Sequence, residues 1–251
     1  MELVPSNSAL FKTAMEALKE FLPQLQFHMS NDAVSVCGMD PSHVGFVDYK
    51  LAAADCDTLR VSEGTHRLGI HSVILSRALA AAESIHLATS KSKEKLVLTT
   101  VNAKVGKKAV FEMPTLDIDD VTPELPDVTY GATVELKTAD LTAVVKEVNT
   151  FGDTIQFTLD ENGFHVRSSG DSGSVLQTLE NTDDRVMELS TDSVSASFGS
   201  KHMMQIMKGG SGLAATVRIE FDPALPLRAT FKFGADSHFI AYLAPKIMDS
   251  E

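Results

Sequence analysis

Residues 27–37 read FHMSNDAVSVC, and residues 157–167 read FTLDENGFHVR. In both stretches, apolar and polar residues alternate on either side of a short polar turn, which is the pattern of a β-hairpin with one buried face. The second stretch lies 130 residues after the first, and at this offset Val34 coincides with Phe164. The match predicts two tandem copies of one domain, with chance alignment of two amphipathic hairpins as the alternative.

A helix is predicted before each hairpin and another after it, so the predicted fold class is α+β. Apolar residues recur at helical spacing in all four segments. Ser6 or Ser8 is expected to cap the first helix, and Gly209-Gly210 is expected to end the fourth. The predicted helices are 6–21, 71–82, 138–149 and 200–208. The predicted strands are 27–29, 33–37, 45–51, 58–61, 85–89, 96–101, 105–113, 154–159, 163–167, 175–180, 186–189, 194–198, 215–221, 227–233 and 238–243.

The segment between the repeats differs from both of them in composition. Residues 114–130 contain five acidic residues, three prolines and no basic residue. Proline excludes a helix interior and a central strand, so an extended connector is expected. Its apolar residues indicate that something binds there, although a plain linker packing lightly on the body fits as well. The predicted organisation is an N-terminal domain at 1–115, a connecting loop at 116–130 and a C-terminal domain at 131–251.

Composition narrows the possible functions. Lys and Arg number 22 against 34 Asp and Glu, giving a net charge of −12. Such a chain binds nucleic acid only if its basic residues are gathered on one surface. The two cysteines favour a reducing compartment, and no signal peptide or membrane-spanning segment is predicted. No metal site or cofactor is expected, since His66 and His71 lack partners at zinc-ligand spacing.

The predicted helices each carry at least one cation away from their apolar stripe. Lys12 and Lys19 are seven residues apart, as are Lys201 and Lys208, which places each pair on one helix face. Arg77 and Lys146 occupy the other two helices. Solvated helix faces are the ordinary explanation. If the four faces share one surface, they form a track that contacts duplex phosphates without reading bases.

Four short motifs carry a family resemblance: EALK at 16–19, MDPSHV at 39–44, LDID at 116–119 and YLAPKI at 242–247. In this order, and over nearly the whole chain, they resemble the DNA sliding clamps of the proliferating cell nuclear antigen family. The resemblance implies a DNA-clamp fold in a homotrimeric ring, with curved antiparallel sheets outside and four helices of each chain lining the hole. The six helix cations match the family's DNA-binding positions, whereas Thr13, Ala80 and Ala143 stand where relatives often carry Lys or Arg.

The resemblance also implies two protein-binding surfaces. One is a pocket for partner peptides that carry a glutamine and paired aromatic residues, and His43 in it could equally be a simple turn residue. The implied pocket residues are Met39, His43, Val44, Phe46, Leu125, Pro226, Tyr242, Ala244 and Pro245. The other surface joins subunits edge to edge, with Phe111 packed at the junction. The implied interface residues are Val110, Phe111, Glu112, Val175, Leu176 and Gln177.

The expected function is that of a non-enzymatic processivity factor that encircles double-stranded DNA. Its expected partners are a replicative DNA polymerase, a clamp loader, and flap endonuclease and DNA ligase type proteins. The expected location is the nucleus in a eukaryote or its virus, and otherwise the cytoplasm. The alternative function is a clamp-like checkpoint or repair scaffold, which could be heteromeric.

The hypothesis that the protein is an enzyme fits the sequence less well. Residues 170–173, GDSG, resemble the nucleophile segment of trypsin-like serine proteases, but neither the following Gly-Pro nor a suitable histidine setting is present. Gly106-Lys107-Lys108 lacks the first glycine and the Ser/Thr of a P-loop. No catalytic residue is therefore proposed.

Overall fold

The computed structural model describes residues 1–62, 65–90, 94–118, 128–182 and 184–246. The chain forms two compact units. The first contains Met1–Pro41, Val47–Pro123 and Phe233–Phe239, and the second contains Ser42–Phe46, Glu124–Lys232 and Ile240–Glu251. Within the described ranges, no helix is both long and apolar enough to cross a membrane.

In the described part of the chain up to residue 114, the elements are two helices, nine strands and two 3₁₀ turns. The helices are α1 (Ser8–Phe21) and α2 (Ser72–Leu79). The strands are β1 (Glu2–Pro5), β2 (Gln24–Met29), β3 (Ala33–Met39), β4 (Gly45–Ala52), β5 (Cys56–Arg60), β6 (His66–His71), β7 (Ser84–Thr89), β8 (Lys95–Asn102) and β9 (Lys107–Pro114). The 3₁₀ turns are Ala53–Asp55 and Ala103–Val105.

The elements after residue 131 follow a similar plan. The helices are α3 (Thr138–Val148) and α4 (Ser200–Gly210). The strands are β10 (Ala132–Lys137), β11 (Thr154–Asp160), β12 (Gly163–Gly170), β13 (Gly173–Leu179), β14 (Val186–Leu189), β15 (Ser193–Gly199), β16 (Thr216–Asp222), β17 (Leu225–Phe233) and β18 (Ser237–Leu243).

Antiparallel sheets and a helix pair make up each unit. In the first unit a five-stranded sheet has the order β5-β1-β7-β8-β9, and β3, β2 and β6 are neighbours in that order. In the second unit a four-stranded sheet has the order β13-β12-β11-β15, and β14, β10, β16 and β17 are neighbours in that order. Helix α1 packs against α2, and α3 packs against α4.

The two hairpins predicted from sequence are present and equivalent. Met29 pairs with Val34 across β2 and β3, and Leu159 pairs with Phe164 across β11 and β12. All four side chains are at most 1% exposed. Phe164 also meets Phe157 edge to face, with ring centroids 5.2 Å apart. The apolar residues of both stretches therefore face the core. Burial of each one stabilises the fold by about 1.5–3 kcal/mol.

Two details at helix ends correct the expectations from sequence. The cap of α1 is Asn7 rather than Ser6 or Ser8, and its side-chain oxygen accepts from the amides of Ala9 and Leu10 at 3.1 Å. Asparagine is as good a cap as serine, so the residue types alone did not separate the candidates.

The glycines near the end of α4 belong to the helix instead of terminating it. A Cβ atom on Gly210 would lie 2.1 Å from Cε1 of Phe231. Glycine is therefore needed at this position because α4 packs closely against β17, and not because the helix ends in a left-handed conformation.

Three strands were missed, and one was misplaced. β1, β6 and β10 were not predicted, and the strand expected at 58–61 is β5, Cys56–Arg60. The strand expected from residue 105 begins at Lys107, because Ala103–Val105 forms a 3₁₀ turn that ends at Gly106 with φ of 61°.

The described start of the connector packs on the first unit. The backbone amide of Leu116 donates to the carbonyl of Gly69 at 2.9 Å. The side-chain Nε2 of Gln26 donates to the carbonyl of Ile118 at 2.9 Å. The predicted connector residues 119–127, including Leu125, lie outside the described residues.

Candidate functional site

The six candidate cations all lie on the four helices, but they differ in what they contact. In α1, the ammonium of Lys12 donates to the carbonyl of Ala82 at 2.7 Å, just beyond α2. Lys19 forms an ion pair with Glu16, which also accepts a hydrogen bond from the hydroxyl of Ser76. These two cations therefore help to hold α1 against α2 while keeping part of each side chain exposed.

The other four cations are exposed. Arg77 lies on α2 and Lys146 on α3, while Lys201 and Lys208 lie on α4 as the seven-residue spacing predicted. The exposed part of α2 also carries Val73 and Ile74, which are 39% and 51% exposed. The positive charge is densest on α4, which has two cations and no acid, and least on α3, where Asp140 and Glu147 outnumber Lys146.

Most of the residues predicted for the peptide pocket lie in the second unit. The rings of Phe46 and Tyr242 are in contact, with centroids 5.8 Å apart. The amide of Ala244 donates to the carbonyl of Val44 at 2.9 Å, which fixes the segment after β18. The amide of Ala244 is thereby occupied and Pro245 has no N–H, so the backbone groups left to a ligand are carbonyl acceptors.

His43 has the turn conformation considered from the sequence, and its place in the pocket stays a prediction. It lies in the turn before β4 and has a φ of 56°, which is rare for a residue other than glycine. Its side chain is exposed, as is that of Pro226, whereas Phe46 is 6% exposed. Met39 is 42% exposed but belongs to the first unit.

The residues predicted for subunit contacts lie on two strands at sheet edges. β9 ends the five-stranded sheet, and β13 ends the four-stranded sheet. Val110 on β9 is 57% exposed and Leu176 on β13 is 62% exposed. Exposed apolar residues on an edge strand favour pairing with another strand.

The polar interface candidates already have contacts within the chain. Glu112 on β9 forms an ion pair with Lys95 at 2.8 Å. Gln177 on β13 donates to Glu147 of α3 at 2.5 Å. Phe111 and Val175 are half-buried. Val110 and Leu176 are therefore the most exposed apolar side chains among the interface candidates.

A charged cluster beside the pocket residues was not predicted from sequence. Arg228 on β17 donates from Nε and Nη2 to the two carboxylate oxygens of Glu220, each at 2.6 Å. Its Cζ atom lies 5.0 Å from the centre of the Tyr130 ring. Glu220 and Arg228 are paired across β16 and β17, so only the strand register shows that they meet.

Potential metal ligands and the GDSG serine were also located in the described residues. Within the described part of the chain, no group of three or more His, Cys, Asp and Glu side chains is placed to hold a metal ion. The serine of the GDSG segment lies in the exposed turn between β12 and β13.

Two models of a known protein family together match nearly the whole chain. Residues 1–122 match the N-terminal domain model of proliferating cell nuclear antigen, and residues 124–247 match its C-terminal domain model. The chain belongs to the proliferating cell nuclear antigen family. The tandem repeat predicted from the two hairpins is thereby confirmed as two consecutive domains of this family, with mostly antiparallel sheets and four helices.

Individual relatives support membership at low identity. The chain is 28% identical over 256 residues to proliferating cell nuclear antigen of Caenorhabditis elegans, covering 98% of this chain and 97% of that protein. It is 23% identical over 254 residues to the protein of the same name from Chaetomium thermophilum, with 98% and 97% covered. It is 23% identical over 248 residues to the DNA polymerase sliding clamp of Pyrococcus horikoshii, with 98% of both chains covered. Membership of the proliferating cell nuclear antigen family also confirms the expectation of a non-enzymatic protein.

Proposed function

We propose that this chain is a DNA sliding clamp, a ring subunit that encircles duplex DNA and tethers other replication proteins to it. The observation that carries the proposal is the match of two consecutive clamp-family domains over nearly the whole chain. In the proposed ring, three chains supply six domains, and the helices of each face the hole. The proposed domain limits remain 1–115, 116–130 and 131–251.

The proposed DNA contacts are made by the helix cations and are independent of sequence. Lys and Arg side chains on regular helices meet phosphates at any base sequence. The exposed cations Arg77, Lys146, Lys201 and Lys208 supply most of this attraction, with a smaller contribution from Lys12 and Lys19. The remaining surface of a chain with net charge −12 repels DNA, so the inner helices are the favoured contact.

The proposed ring closes through β9 of one subunit and β13 of the next. Val110 and Leu176 would be covered by this pairing, which removes two exposed apolar side chains from water. The exposed charges on the two edges are also complementary. Lys107 and Lys108 lie at the start of β9, whose exposed Glu112 is paired with Lys95, whereas Asp171 and Glu180 lie just outside the two ends of β13. Head-to-tail pairing brings unlike charges together, while pairing of like edges does not.

The proposed partner site is the pocket formed by Val44, Phe46, Pro226 and Tyr242 with the neighbouring predicted residues. An apolar recess accepts the aromatic anchors of a peptide, and the carbonyls of residues 244 and 245 accept hydrogen bonds from its glutamine. Proposed ligands are polymerase, clamp loader, flap endonuclease and ligase type proteins. Proposed locations are the nucleus for a eukaryotic or viral protein and otherwise the cytoplasm.

The oligomeric mass in solution tests this proposal against the checkpoint or repair scaffold. Light scattering of the purified chain is expected to give three times the chain mass of 27.1 kDa. A chain that stays monomeric at micromolar concentration and assembles only with other subunits would favour the heteromeric scaffold.

A further inference from the structure

Arg228 lies on the same side of β17 as a wall of the proposed peptide pocket. It follows Pro226 by two residues, so both side chains leave the strand on one face. Leu227 and Ala229 alternate with them and are buried. Within the second unit, β17 is also the strand next to β18, which carries Tyr242. Arg228 is therefore placed at the edge of the pocket rather than in the core.

The Tyr130 ring lies beside the Arg228 guanidinium. Its Cζ atom lies 5.0 Å from the centre of the Tyr130 ring. Burial raises the pKa of Tyr130 to about 12, and the charge of Arg228 opposes this shift while the Tyr242 phenol adds to it. The guanidinium has an aromatic platform on one side and the pocket tyrosine nearby.

Glu220 fixes the orientation of this guanidinium. Nε and Nη2 of Arg228 donate to the two oxygens of Glu220 at 2.6 Å, and Glu220 is only 6% exposed. Such a bidentate pair holds the guanidinium plane and leaves the Nη1 group on the opposite side. Among the described residues, Nη1 donates to no other group. The Arg228 side chain is 31% exposed, so it keeps surface that a ligand can contact.

The neighbouring charges leave Arg228 as the cation on the pocket side of the cluster. Arg218 contacts Glu220 from β16 at 3.5 Å and also approaches Glu135 and Glu188. Those two carboxylates lie on β10 and β14, which are two and three strands away from β17. The additional acids are therefore balanced by Arg218, away from the pocket.

We propose that the Nη1 group of Arg228 binds a carboxylate of the partner peptide, so that the pocket selects peptides with an acidic residue near their aromatic anchors. This inference rests on the proposed peptide-binding function of the pocket. A charge-assisted hydrogen bond is about twice as strong as a neutral one. A preference for acid would run against the net charge of −12, which repels acidic peptides in general.

The test compares peptide pairs that differ by one carboxylate. Each peptide carries one glutamine and two adjacent aromatic residues, and one Asp is moved through every non-anchor position, with an Asn version of each as its pair. Binding to the full chain is measured by fluorescence anisotropy. At one position or more, the Asp peptide is expected to bind roughly tenfold more tightly than its Asn pair.

Two variants test whether Arg228 causes the preference for Asp peptides over Asn peptides. Arg228→Gln combined with Glu220→Gln replaces the ion pair with two amides, which avoids a buried unpaired carboxylate and preserves folding. This double variant is expected to bind Asp and Asn peptides equally while retaining the affinity for the Asn peptides. Lys232→Gln removes one positive charge from the same face of the same strand and is expected to keep the preference.

The possible results separate the two proposals. Equal binding of every Asp and Asn pair by the unaltered chain overturns the role of Arg228 and leaves the pocket in place. A preference that persists in the double variant overturns it as well. Failure of all peptides to bind the unaltered chain overturns the pocket proposal and removes this inference with it.

Discussion

At Gly210, the absence of a side chain decides how the fourth helix meets β17. A Cβ atom there would lie 2.1–2.5 Å from three atoms of the Phe231 ring, and that ring is fully buried. Gly210→Ala is expected to destabilise the second unit by about 1–3 kcal/mol, despite the better helix propensity of alanine. Urea unfolding measures the loss. Ser211→Ala, on the exposed neighbouring residue, should change stability little, and equal effects of both variants would contradict the packing argument.

Asp55 is a second residue whose surroundings predict a measurable effect. Burial raises the pKa of its carboxyl group, but hydrogen bonds from the Ser237 hydroxyl and the amides of Ala235 and Asp236 outweigh this and lower it. A lowered pKa means stability that is present above the unfolded value, about 3.9, and is lost as the pH falls through the folded value.

Asp55→Asn tests this pH dependence. The substitution is expected to cost roughly 1–2 kcal/mol at neutral pH, because one charged acceptor of three donors is lost. The difference in melting temperature between the original chain and the variant should shrink as the pH is lowered below about 4. A difference that stays constant from neutral to acidic pH would show that the ionised carboxylate is not responsible.

At the scale of elements, the edge strands β9 and β13 form the proposed contact between subunits. Val110→Asp or Leu176→Asp would place a charge in the proposed contact and is expected to give monomers. The fold of each monomer should be preserved, because both side chains are more than half exposed. Size-exclusion chromatography with light scattering, at matched concentrations, measures the change.

The control for the edge strands is Val186→Asp, which alters a residue that is 47% exposed on β14. This variant should assemble as the original chain does. If Val186→Asp dissociated the oligomer while Leu176→Asp did not, the proposed edge would be wrong.

The elements also show what sequence patterns can and cannot predict. All four helices and both repeat hairpins were predicted, since each has an apolar stripe or alternation that ends in the core. β1 was missed because it has only four residues and is recognisable mainly by its pairing with β5 and β7. β6 was missed because its glycine at 69 admits the connector carbonyl of Leu116, a tertiary requirement.

The candidate sites were predictable to different degrees for the same reason. The cations Lys201 and Lys208 were found because a single helix places them on one face. The pair of Arg228 and Glu220 was not, because their meeting depends on the register between two strands. Contacts of Lys12 with Ala82 and of Lys19 with Ser76 likewise depend on how two helices pack, so the sequence did not show that these cations are partly engaged.

For the whole molecule, the helix cations predict how strongly the ring interacts with DNA. Combined replacement of Lys146, Lys201 and Lys208 by alanine is expected to reduce DNA-stimulated polymerase processivity and leave the oligomer mass unchanged. Lys12→Ala with Lys19→Ala should have a smaller effect on processivity, because these two side chains are less exposed than the other three. Primer-extension lengths on a long template measure both. Unchanged processivity in the first variant would contradict the proposed contact between the helix cations and DNA.

In the proposed function a closed ring holds DNA by topology, and retention on DNA with blocked ends is the most direct test of this. The protein is allowed to enter long linear duplex DNA over a free end, that end is then blocked with streptavidin, and the DNA is washed with high salt. The clamp is expected to remain on doubly blocked DNA and to leave within minutes when a restriction enzyme cuts the duplex. Equal loss from blocked and cut DNA would contradict encirclement.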